Sequence, residues 1–303
     1  MRACVVLLIV GVLSACAGAP AAPAIRLSQL EPLPTQSARV IPLRVAVAAV
    51  ISPRGTVESY RPLLDYLSQR LSRPVELVQR RTYAEVNELL KRGEIDVAFV
   101  CTSAYVVGHA EFGMELLAAP QVNGAVVYHS VLVVPAESAA HNIADLRGKV
   151  FAFTDPMSTS GRMYPIWLLR QIGAAPETFF ARTFFTYSHD DAIRAVAERL
   201  ADGAAVDSLV HDFATRRDPA LREKTRVIHR SPPFGTPPVV VRPGARPQLK
   251  AELRQVLLDL ADDPHEAGRA ALQAIGVDRF ILVEDSAYDS VRDIFDSVGW
   301  PVP

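Results

Sequence analysis

The chain has 303 residues, half of them apolar and 21% charged, with 32 basic against 33 acidic side chains. That length predicts about two domains, the composition excludes a globally disordered chain, and a formal charge of −1 argues against a general nucleic-acid binder. Three cysteines cannot build a disulfide scaffold.

Residues 1–17 read as an export signal: Arg2, an apolar run from Val5 to Leu13, then small residues. The run is too short to span a bilayer as a mature helix. Leu13-Ser14-Ala15-Cys16 resembles the lipobox of bacterial lipoproteins, which would make Cys16 the lipidated N-terminus and the membrane a partner through its anchor. Ala15-Cys16-Ala17 also satisfies ordinary signal peptidase, so a free secreted form stays open. Both readings place the protein outside the cytoplasm, in the periplasm or cell envelope. Residues 18–42 are rich in alanine and proline without structural periodicity, and are expected to form a disordered linker.

From Leu43 onward strands and helices alternate. Leu43–Val50 is a buried-strand run, and Thr56 to Leu71 carries apolar residues at helical spacing with Thr56 as its expected cap. Val75–Val78 predicts a strand, Tyr83–Lys91 a helix stopped by Gly93, Ile95–Val100 a strand, and Thr102–Ala110 a helix. Ala125–Val134 is one long β-branched run. A second alternation follows: strands at Val150–Thr154, Thr183–Thr186 and Ala204–Val206, and helices at Gly161–Ile172, Asp190–Ala201 and Ser208–Arg216. Pro238–Val241 is a strand, and Gln248–Leu260, Glu266–Ile275 and Tyr288–Val298 are helices.

Such alternation implies an α/β fold with mostly parallel sheets and covering helices. The last sixty or so residues show no sheet of their own. The chain is therefore expected to leave one lobe, build a second, and return. Residues 43–133 and 238–303 would form the first lobe and 134–237 the second, with crossovers near Val131–Pro135 and Phe234–Val241. A ligand would bind in the cleft between them.

The densest chemical signal is Thr154-Asp155-Pro156-Met157-Ser158-Thr159-Ser160-Gly161, between a strand and an amphipathic helix. Ser158, Thr159 and Ser160 bring three hydroxyls to a helix N-terminus that already offers free N–H groups and a favourable dipole end. Together they make a receptor for a tetrahedral oxyanion. Simple N-capping by Ser158 or Thr159 explains part of the pattern equally well, but three hydroxyls in a row exceed what a cap uses. No Gly-x-Ser-x-Gly elbow and no His-x-x-x-His or Cys-x-x-Cys spacing accompanies them. No catalytic residue, metal or cofactor is expected.

Asp-Pro-x-Ser-Thr-Ser-Gly after a strand resembles the signature of the PhnD-like family, the phosphate-, phosphite- and phosphonate-binding components of ABC transporters. The likeness runs over roughly residues 43–300. Ile95-Asp96-Val97-Ala98-Phe99 is similar to the family's third strand, Ser188-His189-Asp190 to its histidine turn, and Ala205-Val206-Asp207-Ser208 to the strand end that follows. Ser231-Pro232-Pro233-Phe234-Gly235 resembles its return crossover. The resemblance implies a two-lobed periplasmic-binding-protein type II fold with two hinge crossovers, monomeric, closing on a small oxyanion and serving permease and ATPase subunits. It assigns the anion's oxygens to Ser158, Thr159 and Ser160, with His189 and Asp207 reaching from the same lobe. An aspartate beside an anion suits a ligand that carries a proton or hydroxyl, although Asp207 could equally cap the next helix.

From the first lobe, Thr102, Ser103, Tyr105 and the loop around Ser52 and Arg54 face the same strand ends. The family's aminophosphonate binders place a tyrosine after the third strand and an acid in the return crossover. This chain has Val100 or Cys101, and Thr236, at those places, which disfavours an amine-bearing ligand. Cys101 is either a small core side chain or a soft ligand. In the second case the protein would be an arsenite-type sensing subunit for a membrane histidine kinase.

Overall fold

The computed structural model describes residues 40–299; the export signal with Cys16, and linker residues 18–39, lie outside the described residues. The first sheet grows around β1 (Leu43–Val47), which is buried apart from Arg44. Helix α1 (Pro53–Arg70) starts one turn before the expected Thr56 cap, because Pro53 is preset for the first helical position. Thr56 lies inside it and donates to the Ile51 carbonyl at 3.2 Å. Strand β2 (Val75–Val78) leads to α2 (Tyr83–Lys91), opened by a capping box of Thr82 and Glu85. Then come β3 (Val97–Phe99), α3 (Thr102–Phe112) and β4 (Glu115–Gln121).

The long run after Ala125 breaks at His129 into β5 (Val127–Tyr128) and β6 (Ser130–Pro135). Strand β7 (Val150–Phe153) is followed by a π-wound turn, Thr159–Met163, that continues as α4 (Tyr164–Gln171). Next are α5 (Pro176–Phe179), β8 (Arg182–Phe185), α6 (His189–Ala197) and β9 (Gly203–Asp207). Helices α7 (Ser208–Arg217) and α8 (Pro219–Lys224) precede β10 (Thr225–Arg230), β11 (Phe234–Gly235) and β12 (Val239–Val241). The remainder is α9 (Pro247–Asp259), α10 (Glu266–Ile275), β13 (Arg279–Ile281) and α11 (Asp289–Val298).

Two sheets result, ordered β13-β4-β12-β3-β1-β2 and β10-β6-β9-β7-β8, joined by a two-stranded ribbon of β5 and β11. This is a two-lobed α/β architecture with crossovers. Most strands of each sheet run the same way, as expected: β1, β2, β3 and β4 share a direction in the first with β12 and β13 reversed, and in the second β7, β8, β9 and β10 share a direction with β6 reversed. Two sequence expectations need correction. The first crossover lies at β5, since Ser130–Pro135 is already a strand of the second sheet. Strands β4, β10 and β13 had no counterpart among the predicted elements.

Asp96, at the start of β3, ties the outgoing and returning passages together. It accepts from the Arg44 backbone N–H at 3.1 Å, pairs with the Arg44 guanidinium at 3.3 Å, and lies 3.5 Å from Arg242, just after β12. Burial pushes its carboxyl up, but the hydrogen bonds and charge of Arg44 outweigh that and hold it below the ordinary carboxylate range. Asp96→Ala should cost about 2 kcal/mol, because bonds to a charged group are lost while their donors stay half-buried. Urea unfolding should show a lower midpoint at unchanged slope. An unchanged midpoint would mean that the returning strand needs no such clasp.

Candidate functional site

The serine-rich loop is held from below by its own aspartate. Asp155 accepts from the Met157 N–H at 2.8 Å and, across the lobes, from the Tyr83 N–H at 3.1 Å. Burial raises its carboxyl to about 6 against the pull of those bonds. Gly161 is required by packing, not by its backbone angles. A Cβ there would sit 1.8 Å from Thr154 Oγ1, so only glycine lets the helix start lie on the end of β7. The helix therefore begins with its first N–H groups at the seam between the lobes.

Ser158 Oγ accepts the Gly161 N–H at 3.0 Å, as a cap does, and also lies 3.4 Å from His189 Nε2. Thr159 Oγ1 meets Thr102 Oγ1 of the first lobe at 2.9 Å, and Thr102 Oγ1 is 2.8 Å from the Tyr128 hydroxyl. Ser160 divides its roles: its carbonyl accepts from Ser130 Oγ at 2.7 Å, while its own Oγ is buried without a hydrogen-bond partner. Ser103 Oγ donates to the Met157 carbonyl, and Cys101 Sγ lies 3.4 Å from Ser103 Oγ.

His189 has a defined tautomer. The Asp207 backbone N–H donates to its Nδ1 at 2.9 Å, so the ring proton sits on Nε2, aimed at Ser158 Oγ and, at 3.5 Å, the Tyr83 hydroxyl. Burial depresses the imidazole to about 3, which keeps it neutral. The result is a fixed, uncharged N–H donor. Asp207 is buried beside it and uses Oδ1 to accept from Leu209 N–H at 2.7 Å and Val210 N–H at 3.4 Å, capping α7. Burial raises its carboxyl to about 7, more than those two bonds lower it.

Ser158, Thr159, His189, Asp207, Thr102, Ser103 and Cys101 thus gather at one seam. Tyr105 does not join them. Its ring packs edge-on against Tyr288 at 4.8 Å and its hydroxyl donates to Asp285 at 2.8 Å, turning it toward the C-terminal segment. Arg54 is exposed and paired with Glu58 at 2.8 Å, whereas Ser52 bonds Asp190 of the second lobe twice at 2.7 Å. Thr236 turns its hydroxyl to the Pro120 carbonyl at 2.9 Å. Tyr83 and Tyr128 also border the seam without having been singled out in the sequence, whereas Asp155 belongs to the serine-rich motif but was given no role. The expected strand and helix ends carried the two tyrosines, but nothing local distinguishes them from core aromatics.

Asp207 gives the site a pH signature. Between about 4 and 7 its native carboxyl keeps a proton that the unfolded chain releases, so its contribution to stability is full at low pH and is lost as pH rises through 7. Asp207→Asn retains a capping oxygen and cannot titrate. Thermal unfolding of this variant from pH 4 to 8 should therefore lose less stability across that window than wild type. Parallel profiles would place Asp207 at an ordinary carboxylate value.

The family described as ABC transporter, phosphonate, periplasmic substrate-binding protein matches residues 45–288. The "Phosphate-import protein PhnD" of Mycolicibacterium smegmatis is 26% identical over 284 residues, covering 87% of this chain and 88% of that protein. Among solved structures, a binding protein component of an ABC phosphonate transporter from Pseudomonas aeruginosa superposes with a TM-score of 0.78 at 21% identity, covering 83% of this chain and 84% of that one. PhnD1 from Prochlorococcus marinus in complex with methylphosphonate superposes with a TM-score of 0.76 at 20% identity, covering 85% and 98%. With its serine loop, histidine turn and two-sheet topology inside the matched span, this chain belongs to the periplasmic substrate-binding proteins of phosphonate ABC transporters.

Proposed function

We propose that this chain captures a phosphorus oxyanion (phosphate, phosphite or a small phosphonate) at the hydroxyl seam and delivers it to an ABC permease and its ATPase. The observation that carries the reading is the donor set itself: a helix N-terminus bearing Ser158 and Thr159, faced by a neutral His189 whose free N–H points at Ser158. Hydroxyls and N–H groups satisfy a tetrahedral anion's oxygens without a counter-charge, and the helix end supplies a favourable dipole. Thr102 would complete the ring from the first lobe, in place of its direct bond to Thr159. The phosphate-import and methylphosphonate-bound relatives support the same ligand class.

The work is capture, lobe closure and release, with no bond made or broken. Asp207 near its titration point would accept the proton of a hydrogen phosphate or phosphite oxygen, or donate one to an unprotonated oxygen. Thr236, spent on the Pro120 carbonyl, leaves no acid in the return crossover for a ligand amine. Lipidation at Cys16 would keep the protein beside its permease, with residues 18–42 as the tether.

Replacing Ser158 and Thr159 together by alanine should weaken phosphate, phosphite and methylphosphonate binding by at least about a hundredfold, because two charge-assisted bonds are lost. The fold should survive, since a lost cap costs only about 1 kcal/mol. Calorimetry beside a melting curve separates the two effects. Unchanged affinity in a folded double variant would remove the anion from this seam.

A sensing role for a soft trivalent oxyanion would run through Cys101, buried beside Ser103. Under the transport reading, Cys101→Ser should leave phosphate affinity within about threefold, since a hard oxyanion gains little from a thiol. Titrations with phosphate and arsenite, on wild type and variant, discriminate. Wild type binding arsenite but no phosphorus anion, with arsenite lost in the variant, would overturn the transport reading.

A further inference from the structure

A second space opens between the lobes on the far side of Asp207. It is an apolar cavity of about 130 Å³. One wall comes from the first lobe, with Ser59 and Tyr60 of α1 and Phe99 of β3; the other comes from the second, with Asp207, Val210 and Phe213. The aromatic wall is ordered: Tyr60 and Phe99 meet edge-to-face with centroids 5.2 Å apart. An apolar cavity of about 150 Å³ holds a benzene ring, so this one suits a ring or a compact alkyl group. It is too greasy for an inorganic anion.

Buried polar groups interrupt the apolar lining: the hydroxyls of Ser59 and Tyr60 and the carboxyl of Asp207. Ser59 is 3% exposed and its Oγ has no hydrogen-bond partner. A buried serine in mid-helix ordinarily bonds back to a carbonyl one turn earlier, so an unpartnered hydroxyl in such a wall calls for an occupant with a polar atom. Asp207 supplies another: Oδ1 is taken by the cap of α7, and among the described residues no hydrogen bond engages Oδ2. Asp207 also joins this space to the hydroxyl seam, since it lines the cavity while its N–H holds His189 and His189 faces Ser158. The exposed side chains of Asp212 and Arg216 lie at the solvent side.

We propose that this cavity receives the organic substituent of the anion, so that the ligand is an aryl or compact alkyl phosphonate or phosphate monoester rather than a bare inorganic ion. The inference rests on the oxyanion reading of the hydroxyl seam. The phosphorus head would sit at Ser158 and Thr159, and the substituent would pass Asp207 to lie between Tyr60 with Phe99 and Val210 with Phe213.

Calorimetry with phosphate, methylphosphonate and phenylphosphonate tests it on the mature protein. Phenylphosphonate should bind at least about tenfold more tightly than methylphosphonate, from the apolar area its ring buries. Ser59→Met, which fills the cavity, should erase that gain while phosphate affinity stays within about twofold. Phe213→Ala, at a half-buried position and safer for folding, should weaken phenylphosphonate severalfold and again spare phosphate. Phosphate and methylphosphonate binding with no phenyl preference would overturn this inference and leave the anion site standing. A phenyl preference untouched by both variants would also overturn it. Benzyl alcohol binding as tightly as phenylphosphonate would show a separate apolar site and overturn it too. No binding of any phosphorus compound would overturn the oxyanion reading together with it.

Discussion

The hydrogen bond from the Asp207 backbone N–H to His189 Nδ1 is the constraint on which the seam depends. It fixes the imidazole as an Nε2–H donor, and burial then keeps the ring neutral. A neutral His189 can sit beside buried hydroxyls at little desolvation cost, where an imidazolium would need a counter-ion. The same residue ends β9 and caps α7, so the donor, the strand end and the helix start share one anchor. Moving Asp207 would disturb all three.

Burial also sets the charge of the seam. Asp155 and Asp207 are both pushed toward their protonated forms, which lessens the repulsion an anion would meet there. Two acids raised in this way make the native state a net proton binder between about 4 and 6. His189 acts oppositely, because the unfolded chain takes up a proton that the buried ring refuses below about 6.5. Acid therefore favours the carboxyls and penalises the histidine, and the seam's pH response is a balance within one cluster of touching residues.

Much of this organisation was legible in the sequence because it is written in local signals. The apolar runs of β1, β3 and β9, the glycine stops and the helical spacing of α1 and α10 need no tertiary context. The hydroxyl row before Gly161 was legible for the same reason. Strand β4 was not: Glu115–Gln121 is mainly leucine and alanine, with Pro120, and owes its form to pairing with β12 and β13. Tyr105 was misplaced because its partners, Asp285 and Tyr288, lie far along the chain. Tyr83 and Tyr128 escaped notice for the converse reason, since only the approach of the second lobe brings them to His189 and Thr102. Nearness in sequence suggested neighbours that tertiary packing replaced.

The contacts across the seam fall into two kinds, and the difference bears on how the lobes hold a ligand. At the rim, Ser52 gives two bonds to Asp190, which Arg194 also pairs at 3.0 Å, and the His189 backbone N–H donates to the Val50 carbonyl at 2.9 Å. At the centre, Thr102 and Thr159 bond each other through neutral hydroxyls, an interaction of modest net worth that, under the proposed reading, an oxyanion would replace with stronger charge-assisted bonds. The ribbon of β5 and β11 anchors the lobes at the opposite edge, where Gly235 packs so closely on the Ala287 carbonyl that a Cβ would come within 2.6 Å of it. Tyr288 donates to the Thr236 carbonyl beside that point, fastening the segment ahead of α11 to the crossover. Rim and ribbon thus hold the lobes as they stand, with the Thr102–Thr159 bond between them at the hydroxyl cluster. Under the proposed reading an anion would take the place of that central bond, and the rim contacts would form as the lobes close over it.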